Sequence, residues 1–444
     1  MDAFLQDLRY ALRQLRRSPG FALTAVLTLT MAIGANVVVF GVVNALVLHS
    51  LPVPEANRVY SIQPKGVAIS YPNYVDIRDR NKTFSGVSVV RIARIGLDVS
   101  GSARPVWGYE VSGNYFEMLG VKPVLGRFFA PAEDTKINGE PYVVLSYNCW
   151  KTQFGGDPGV AGRTVRVNKH PYVVLGVAPK GFNGTERFIW PEVWVPIHNE
   201  PQIEGYNWIN YRGAYNAWVV ARLKPGVTPQ QANADLSNIA GQLSNQYPDA
   251  DKGLDLHLAQ PGFLGDMLGG PLHGFLLGVM LLAGLVLLAA CANLGGLFAA
   301  HVSDRAREIG IRIAIGSSRR RILRQLVTET ACLSLLGGVI SACLAAGLLH
   351  ALTMWRPQTD FPVQLLVEPD GFVYMFAALL SLATGLLFGI IPARQIWDTD
   401  PNQVLKASGT SGAALRRFSL RDILLAVQIA LCCLLVTASF VALR

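Results

Sequence analysis

Residues 300–326 read AHVSDRAREIGIRIAIGSSRRRILRQL, and this stretch decides how the rest of the chain is placed. It carries Arg305, Arg307, Arg312, Arg319, Arg320, Arg321 and Arg324 against only Asp304 and Glu308. On either side lies an apolar run long enough to cross a bilayer. A short basic loop between two spans faces the cytoplasm by the positive-inside rule, which sets the orientation expected for every other segment. Within the loop Val302, Ala306, Ile309 and Ile313 recur at helical spacing. Arg305, Glu308 and Arg312 sit three and four apart, close enough to pair along a neighbouring face. Ile309, Ile311, Ile313 and Ile315 also alternate as a strand would, but the helix is the preferred reading. Gly310 weakens that helix by about 1 kcal/mol relative to Ala. Gly316 suits a C-terminal stop, and Ser317 or Ser318 suits the cap of the next helix. Charge alone accounts for the loop as an anchor. The isoleucine stripe beside the charges argues for a surface on which a partner docks.

Composition agrees with a membrane protein. Of 444 residues, 51% are hydrophobic and 16% charged, well below the roughly 25% charged share of soluble domains. The net charge is +9. Residues 49–271 hold 21 basic and 19 acidic side chains, so most of the excess flanks the apolar runs. The basic balance therefore reports topology and contact with the inner leaflet. It excludes the basic soluble face that nucleic-acid binding requires. Cys149 is alone in the large polar region, so no disulfide forms inside it, and no zinc or Cys-x-x-Cys spacing occurs.

The fold class expected is an α-helical multi-pass membrane protein with a large α+β extracytoplasmic domain. Residues 1–20 read as a cytoplasmic amphipathic helix, with Phe4, Leu8, Leu12 and Leu15 on one side and Arg9, Arg13, Arg16 and Arg17 on another. Residues 21–48 form the first span, too long for a signal-peptide core. Residues 49–271 form the extracytoplasmic domain. Its short β-rich runs include Val87–Val90, Tyr142–Leu145, Thr164–Val167, Tyr172–Val177 and Trp218–Leu223. One helix is well marked there: Thr228 caps it, Pro229 opens it and Gln231 completes a capping box. Residues 272–300 and 326–352 form the second and third spans around the segment 301–325. An outer loop (353–370), a fourth span (371–393), a cytoplasmic linker (394–419) and a fifth span (420–443) follow. Gly274 with Gly278, and Gly385 with Gly389, are spaced for close helix packing.

The run RAREIGIRIAIGSSRRRILRQLVTET resembles the coupling segment of MacB/FtsX-like ABC transporter permeases, matching at Arg305, Glu308, Ile309, Gly310, Ile311, Arg312, Ala314, Ile315 and Gly316. GYEVSGNYFEMLGVKPVLGRFF and FGGDPGVAGRTVRVNKHPYVVLGVAPKGF resemble segments of the MacB-like periplasmic core domain, their glycines marking turns. Asp400, Pro401, Leu405 and Lys406 match the family's closing signature. The opening stretch resembles duplicated permeases of the acidobacterial type, in which two such halves share one chain. That resemblance implies a first half plus one helix of a second. It further implies that Arg305, Glu308, Ile309, Gly310, Arg312 and Gly316 dock a separate cytoplasmic ABC ATPase, which binds the ATP. A second permease half or a homodimer, and a bacterial inner membrane with the N-terminus inside, are implied with it.

No catalytic or metal constellation is expected. The nearest approach to a phosphate-binding loop, Gly156–Thr164, has the wrong glycine spacing and Arg163 in place of the lysine. The seven histidines show no ligand spacing. Glu133 and Asp134 read as a solvated acid pair. Glu329 is the clearest acid within a span, and Arg324 or Arg321 is its expected partner. The alternative to a permease is a membrane-anchored sensor or scaffold acting on an extracytoplasmic partner.

Overall fold

The structure, a computed structural model, describes residues 2–64, 68–99, 101–187, 189–262, 266–304, 308, 311–312, 315, 317–354, 367, 369–398, 429–430 and 433. Of the expected linker 394–419, residues 394–398 instead continue the helix that begins at Gly371, and 399–419, with nearly all of the expected fifth span, lie outside the described residues. The chain forms two compact units, one helical and one α+β built from residues 49–273. The helical unit opens with α1 (Asp2–Arg17) and α2 (Pro19–Val43), which a π-helical turn, Asn44–Leu48, continues.

The α+β unit is built on one ten-stranded sheet. Its strands are β1 (Val59–Pro64), β2 (Phe84–Asp98), β3 (Ala103–Val111), β4 (Leu125–Gly126), β5 (Tyr142–Leu145), β6 (Thr164–Val167), β7 (His170–Val177), β8 (Val193–Pro196), β9 (Trp218–Leu223) and β10 (Leu256–Ala259). They run in the order β10-β1-β9-β2-β3-β8-β5-β7-β4, with β6 pairing both β2 and β7. The pairs β3–β8 and β5–β7 are parallel, and the others are antiparallel. Strands β5 (YVVL) and β8 (VWVP) are apolar along their length because they lie in the interior of the sheet. Strand β6 (TVRV) alternates exposed and buried, as an element with one wet face does.

Strand β2 is far longer than the run Val87–Val90 on which sequence reading rests. It pairs with β9 over Phe84–Val90 and with β3 over Val90–Asp98. Arginines hide its continuation, because their heads are engaged where a strand pattern would want apolar side chains. Arg91 reaches carboxylates, and Arg94 lies 5.3 Å from the centre of the Trp107 ring.

The helices of this unit are α3 (Tyr71–Arg80), α4 (Tyr115–Met118), α5 (Tyr147–Gln153), α6 (Glu200–Glu204) and α7 (Pro229–Gln246). Local chemistry sets their starts. Ser70 caps α3, Ser146 caps α5, and Thr228 with Gln231 forms the capping box of α7. Leu236, Ile239 and Leu243 of α7 pack with Tyr74 and Ile77 of α3 over Val89 and Val219. A second core gathers Ile95, Val106, Val143, Val165, Val174 and Trp150. A third is aromatic, with Trp194 among Tyr109, Phe116 and Phe182. Gly126, in the stretch that resembles the periplasmic core domain, has φ +66, and a Cβ there would run into the Leu175 carbonyl. Its role is a turn, not a ligand site.

Three further long helices stand among the described residues: α8 (Asp266–Asp304), α9 (Arg319–Met354) and α10 (Gly371–Asp398). Among the described residues three helices are long and apolar enough to cross a membrane, within 19–48, 269–302 and 320–354, and 371–387 is a shorter apolar stretch. Leu23, Leu27, Leu281, Leu288, Leu344 and Leu386 remain exposed, the surface that a bilayer covers. Between the helices an apolar core of Leu29, Ile33, Leu294, Leu333 and Val373 is joined by a few polar contacts. Asn36 Nδ2 of α2 donates to the Ala283 carbonyl of α8 at 2.8 Å, and Thr30 Oγ1 to the Gly337 carbonyl of α9 at 3.3 Å. Phe40 and Phe376 stack at 4.1 Å.

The two glycine pairs behave differently. Gly385 lies against Ser334, and a Cβ on Gly389 would meet Thr330 Oγ1 at 2.7 Å. Around Gly274 and Gly278 there is open space. Gly385→Ala is expected to cost about 1–3 kcal/mol through overpacking. Gly278→Ala is expected to be neutral or to stabilise by up to about 1 kcal/mol through helix propensity. Thermal unfolding of the detergent-solubilised chain distinguishes the two.

Candidate functional site

The described residues between α8 and α9 are held by local backbone turns. Glu308, Ile311 and Arg312 are helical, and Arg312 Nη2 donates to Glu308 Oε1 one turn back. The Ile315 N–H donates to the Ile311 carbonyl at 3.0 Å, and the Ser317 N–H to the Arg312 carbonyl at 2.9 Å. That second, six-to-one bond is the mark of a Schellman stop. The Ser318 carbonyl then accepts from Arg321 and Ile322, opening α9. The third apolar helix therefore starts at Arg319, well before the expected 326, because the arginine-rich turn is itself helical. Ile311 and Ile315 stand out from this turn, 48% and 82% exposed. Of the six residues expected to dock a partner, Glu308 and Arg312 are brought together. Arg305, Ile309, Gly310 and Gly316 lie outside the described residues.

Underneath the turn, Phe298 and Val302 of α8 pack with Ile322 and Leu326 of α9. Phe21, near the start of α2, stacks on His301 at 4.6 Å between ring centres. Helix α1 closes the group. Its Asp7, 3% exposed, accepts from Arg324 Nε at 2.6 Å, and the Arg312 guanidinium lies 5.2 Å from the centre of the Tyr10 ring. Ala11 and Leu15 are buried, while Arg9, Arg13, Arg16 and Arg17 are exposed. Arg324 thus pairs with Asp7, where sequence reading offers it to Glu329. Nothing in the sequence points to a contact between residues 317 positions apart. Glu329 is buried and lines a cleft of about 30 Å³ with Tyr10, Arg312 and Gln325.

Several buried polar clusters of the α+β unit are tied to structure. Asp134 accepts from the Gly113 N–H at 2.9 Å, the His198 N–H at 3.1 Å and His198 Nδ1 at 2.8 Å. It is buried, not solvated as the loop composition leads one to expect, whereas Glu133 pairs with Arg127 near the surface. Arg212 joins Asp76 and Asp251 and stacks on Tyr247 at 3.7 Å. Arg91 joins Glu110 at 2.7 Å and Glu204 at 3.0 Å, beside Trp208 and Glu200. Burial pushes the Glu110 carboxyl up to about 7, against the opposing pull of Arg91. Burial likewise pushes the Cys149 thiol up to about 12, where it is inert. Among the described residues no group of three or more His, Cys, Asp or Glu is arranged to hold a metal. Residues 156–164 lead from a turn into β6, the reverse of the strand–loop–helix order of a phosphate-binding loop.

Residues 22–239 match the family model of the MacB-like periplasmic core domain, and residues 280–401 that of the FtsX-like permease C-terminal domain. The chain is a MacB/FtsX-like ABC permease. As such it is a multi-pass membrane protein with a periplasmic α+β domain, and what the matches cover is permease. The permease is 26% identical over 359 residues to the macrolide export ATP-binding/permease protein MacB of Salmonella typhi, covering 76% of this chain and 49% of that one. The MacB of Shigella boydii serotype 4 is 26% identical over 353 residues, with the same coverage. The permease thus spans about half the length of these relatives. Among solved structures, the periplasmic region of MacB from Actinobacillus actinomycetemcomitans is 14% identical, with a TM-score of 0.35 over 45% of this chain and 87% of that one. A domain of a putative permease protein from Porphyromonas gingivalis is 17% identical, with a TM-score of 0.37 over 50% of this chain and 98% of that one.

Proposed function

We propose that this permease couples ATP hydrolysis by a separate cytoplasmic ABC ATPase to motion of its periplasmic domain. The segment Arg305–Gly316 is the docking surface, with Arg305, Glu308, Ile309, Gly310, Arg312 and Gly316 as its working residues. The observation that carries this reading is the pair of exposed isoleucines, Ile311 and Ile315, beside the Arg312–Glu308 pair in the turn between α8 and α9. Apolar side chains held out in water next to an ordered charge pair fit a protein partner better than a bare membrane anchor. The arginines of the same turn favour the cytoplasmic side, and with it a cytoplasmic N-terminus. Force enters at the turn, passes along α2 and α8, and acts on the periplasmic domain, for export or for mechanical signalling. The name of the relatives makes macrolides the first cargo to assay. A second permease half, from a longer polypeptide or a second copy, completes the assembly.

The test is copurification of the full chain with an ABC ATPase of its own organism. Replacing Arg305, Glu308 and Arg312 together with alanine is expected to weaken that association at least a hundredfold, and an unchanged association overturns the docking role. Ile309→Cys is expected to react with a membrane-impermeant thiol reagent only from the cytoplasmic side, and labelling from outside overturns the orientation.

A further inference from the structure

Helix α1 fits the sequence description of a basic amphipathic segment lying on a membrane, yet its contacts are with the coupling turn. Asp7 is nearly sealed from solvent and is held by Arg324, in the first turns of α9. One turn along, Tyr10 presents its ring to Arg312, whose other partner is Glu308. A buried carboxylate is retained at a helix surface only with a partner, since an unpaired charge there is costly. The guanidinium over the ring adds a second, orientation-dependent attachment. One of these contacts, at Arg312, lies within the turn that carries Ile311 and Ile315, and the other, at Arg324, lies just after it in sequence order. Helix α1 also leads into α2 with little interruption: the Ser18 N–H donates to the Gln14 carbonyl at 3.3 Å, and the Ala22 N–H to the Ser18 carbonyl at 3.1 Å.

We propose that α1 is a strut that fixes the attitude of the coupling turn and passes its displacement directly to α2, with Asp7 and Tyr10 as positioning residues. This inference rests on the docking reading. It makes the first span a driven element in its own right, alongside the spans that flank the turn.

The full chain in lipid nanodiscs, alone and with its copurified ATPase, tests it. In the chain alone, Asp7→Asn and Tyr10→Ala are each expected to speed amide hydrogen exchange from Ile311 to Ile322 at least tenfold. Asp7→Glu and Tyr10→Phe, which keep the charge and the ring, are expected to stay within twofold of wild type. Unchanged exchange in both disruptive variants overturns the strut. With the ATPase present, the disruptive variants are expected to retain it within about twofold in affinity and to lose most of the ATP-dependent change in exchange of the periplasmic domain. The conservative variants are expected to retain that change. A full ATP response in Asp7→Asn and Tyr10→Ala overturns the strut. Failure of any ATPase to bind wild type, with the exchange effects in the chain alone intact, leaves the contacts standing and overturns the docking reading on which the coupling role depends.

Discussion

A chain carrying Trp194→Ala loses its periplasmic domain about 3–5 kcal/mol more easily than wild type, the range for truncating a large buried aromatic. Trp194 is fully buried on β8. It stacks on Phe182 at 5.7 Å and meets Phe116 and Tyr109 edge-on at 5.7 and 6.4 Å. Phe116 in turn stacks on Phe128 at 3.9 Å, and Tyr109 donates its hydroxyl to the Ile189 carbonyl at 2.8 Å. No ring of this box can shrink into the vacated space without breaking another contact, so the cavity stays open. Trp194→Phe is expected to cost far less, about 1–2 kcal/mol, because it keeps an aromatic ring in the box and leaves a smaller cavity. Hydrogen exchange at β3 and β8 in the intact chain measures both. The alanine variant is expected to lose a hundredfold or more in protection, on the scale of a factor of ten per 1.4 kcal/mol. A loss under tenfold contradicts the prediction.

Glu110 gives the second large effect, through pH. Its carboxyl is buried on β3, one oxygen is held by Arg91, and the other has no hydrogen-bond partner among the described residues. Glu204 competes for the same guanidinium, and Glu200 adds like charge nearby. Burial therefore dominates, and the folded state holds the Glu110 proton up to about pH 7, above the ordinary value of 4.5. A carboxyl raised in this way contributes stability that is complete below pH 4.5 and lost as pH rises through 7. Across that window wild type is expected to lose on the order of 3 kcal/mol relative to Glu110→Gln, whose neutral amide does not titrate. The difference between the two chains, read by denaturant unfolding at pH 5 and pH 8, isolates this group from the other carboxylates. Parallel pH profiles contradict the assignment.

Much of this molecule is written locally in its sequence, and what is hidden is long-range. The Thr228 capping box and the serine that opens α9 are short-range chemistry, and their residues announce them. The Arg312–Glu308 pair is legible for the same reason, since its partners lie one helical turn apart. The glycine pairs are not. Gly274/Gly278 and Gly385/Gly389 share a spacing, but only the second meets a neighbouring helix, and spacing says nothing of what lies opposite. Asp134 looks solvated among polar neighbours until the chain brings His198 and Gly113 onto it. The Asp7–Arg324 pair is invisible because partner choice among seven arginines of one loop depends on where α1 packs. Strand β2 is shortened in sequence reading by arginines that tertiary partners neutralise.

That strand has a mechanical consequence. Its first half is laced to β9 and its second half to β3, so a tug along its axis reaches amide bonds that lie across the direction of pull. Such bonds stretch together instead of parting one by one. One fifteen-residue rod thereby ties the α7 side of the sheet to the side that holds the parallel strands, and tension delivered at one end arrives at the other before anything unravels.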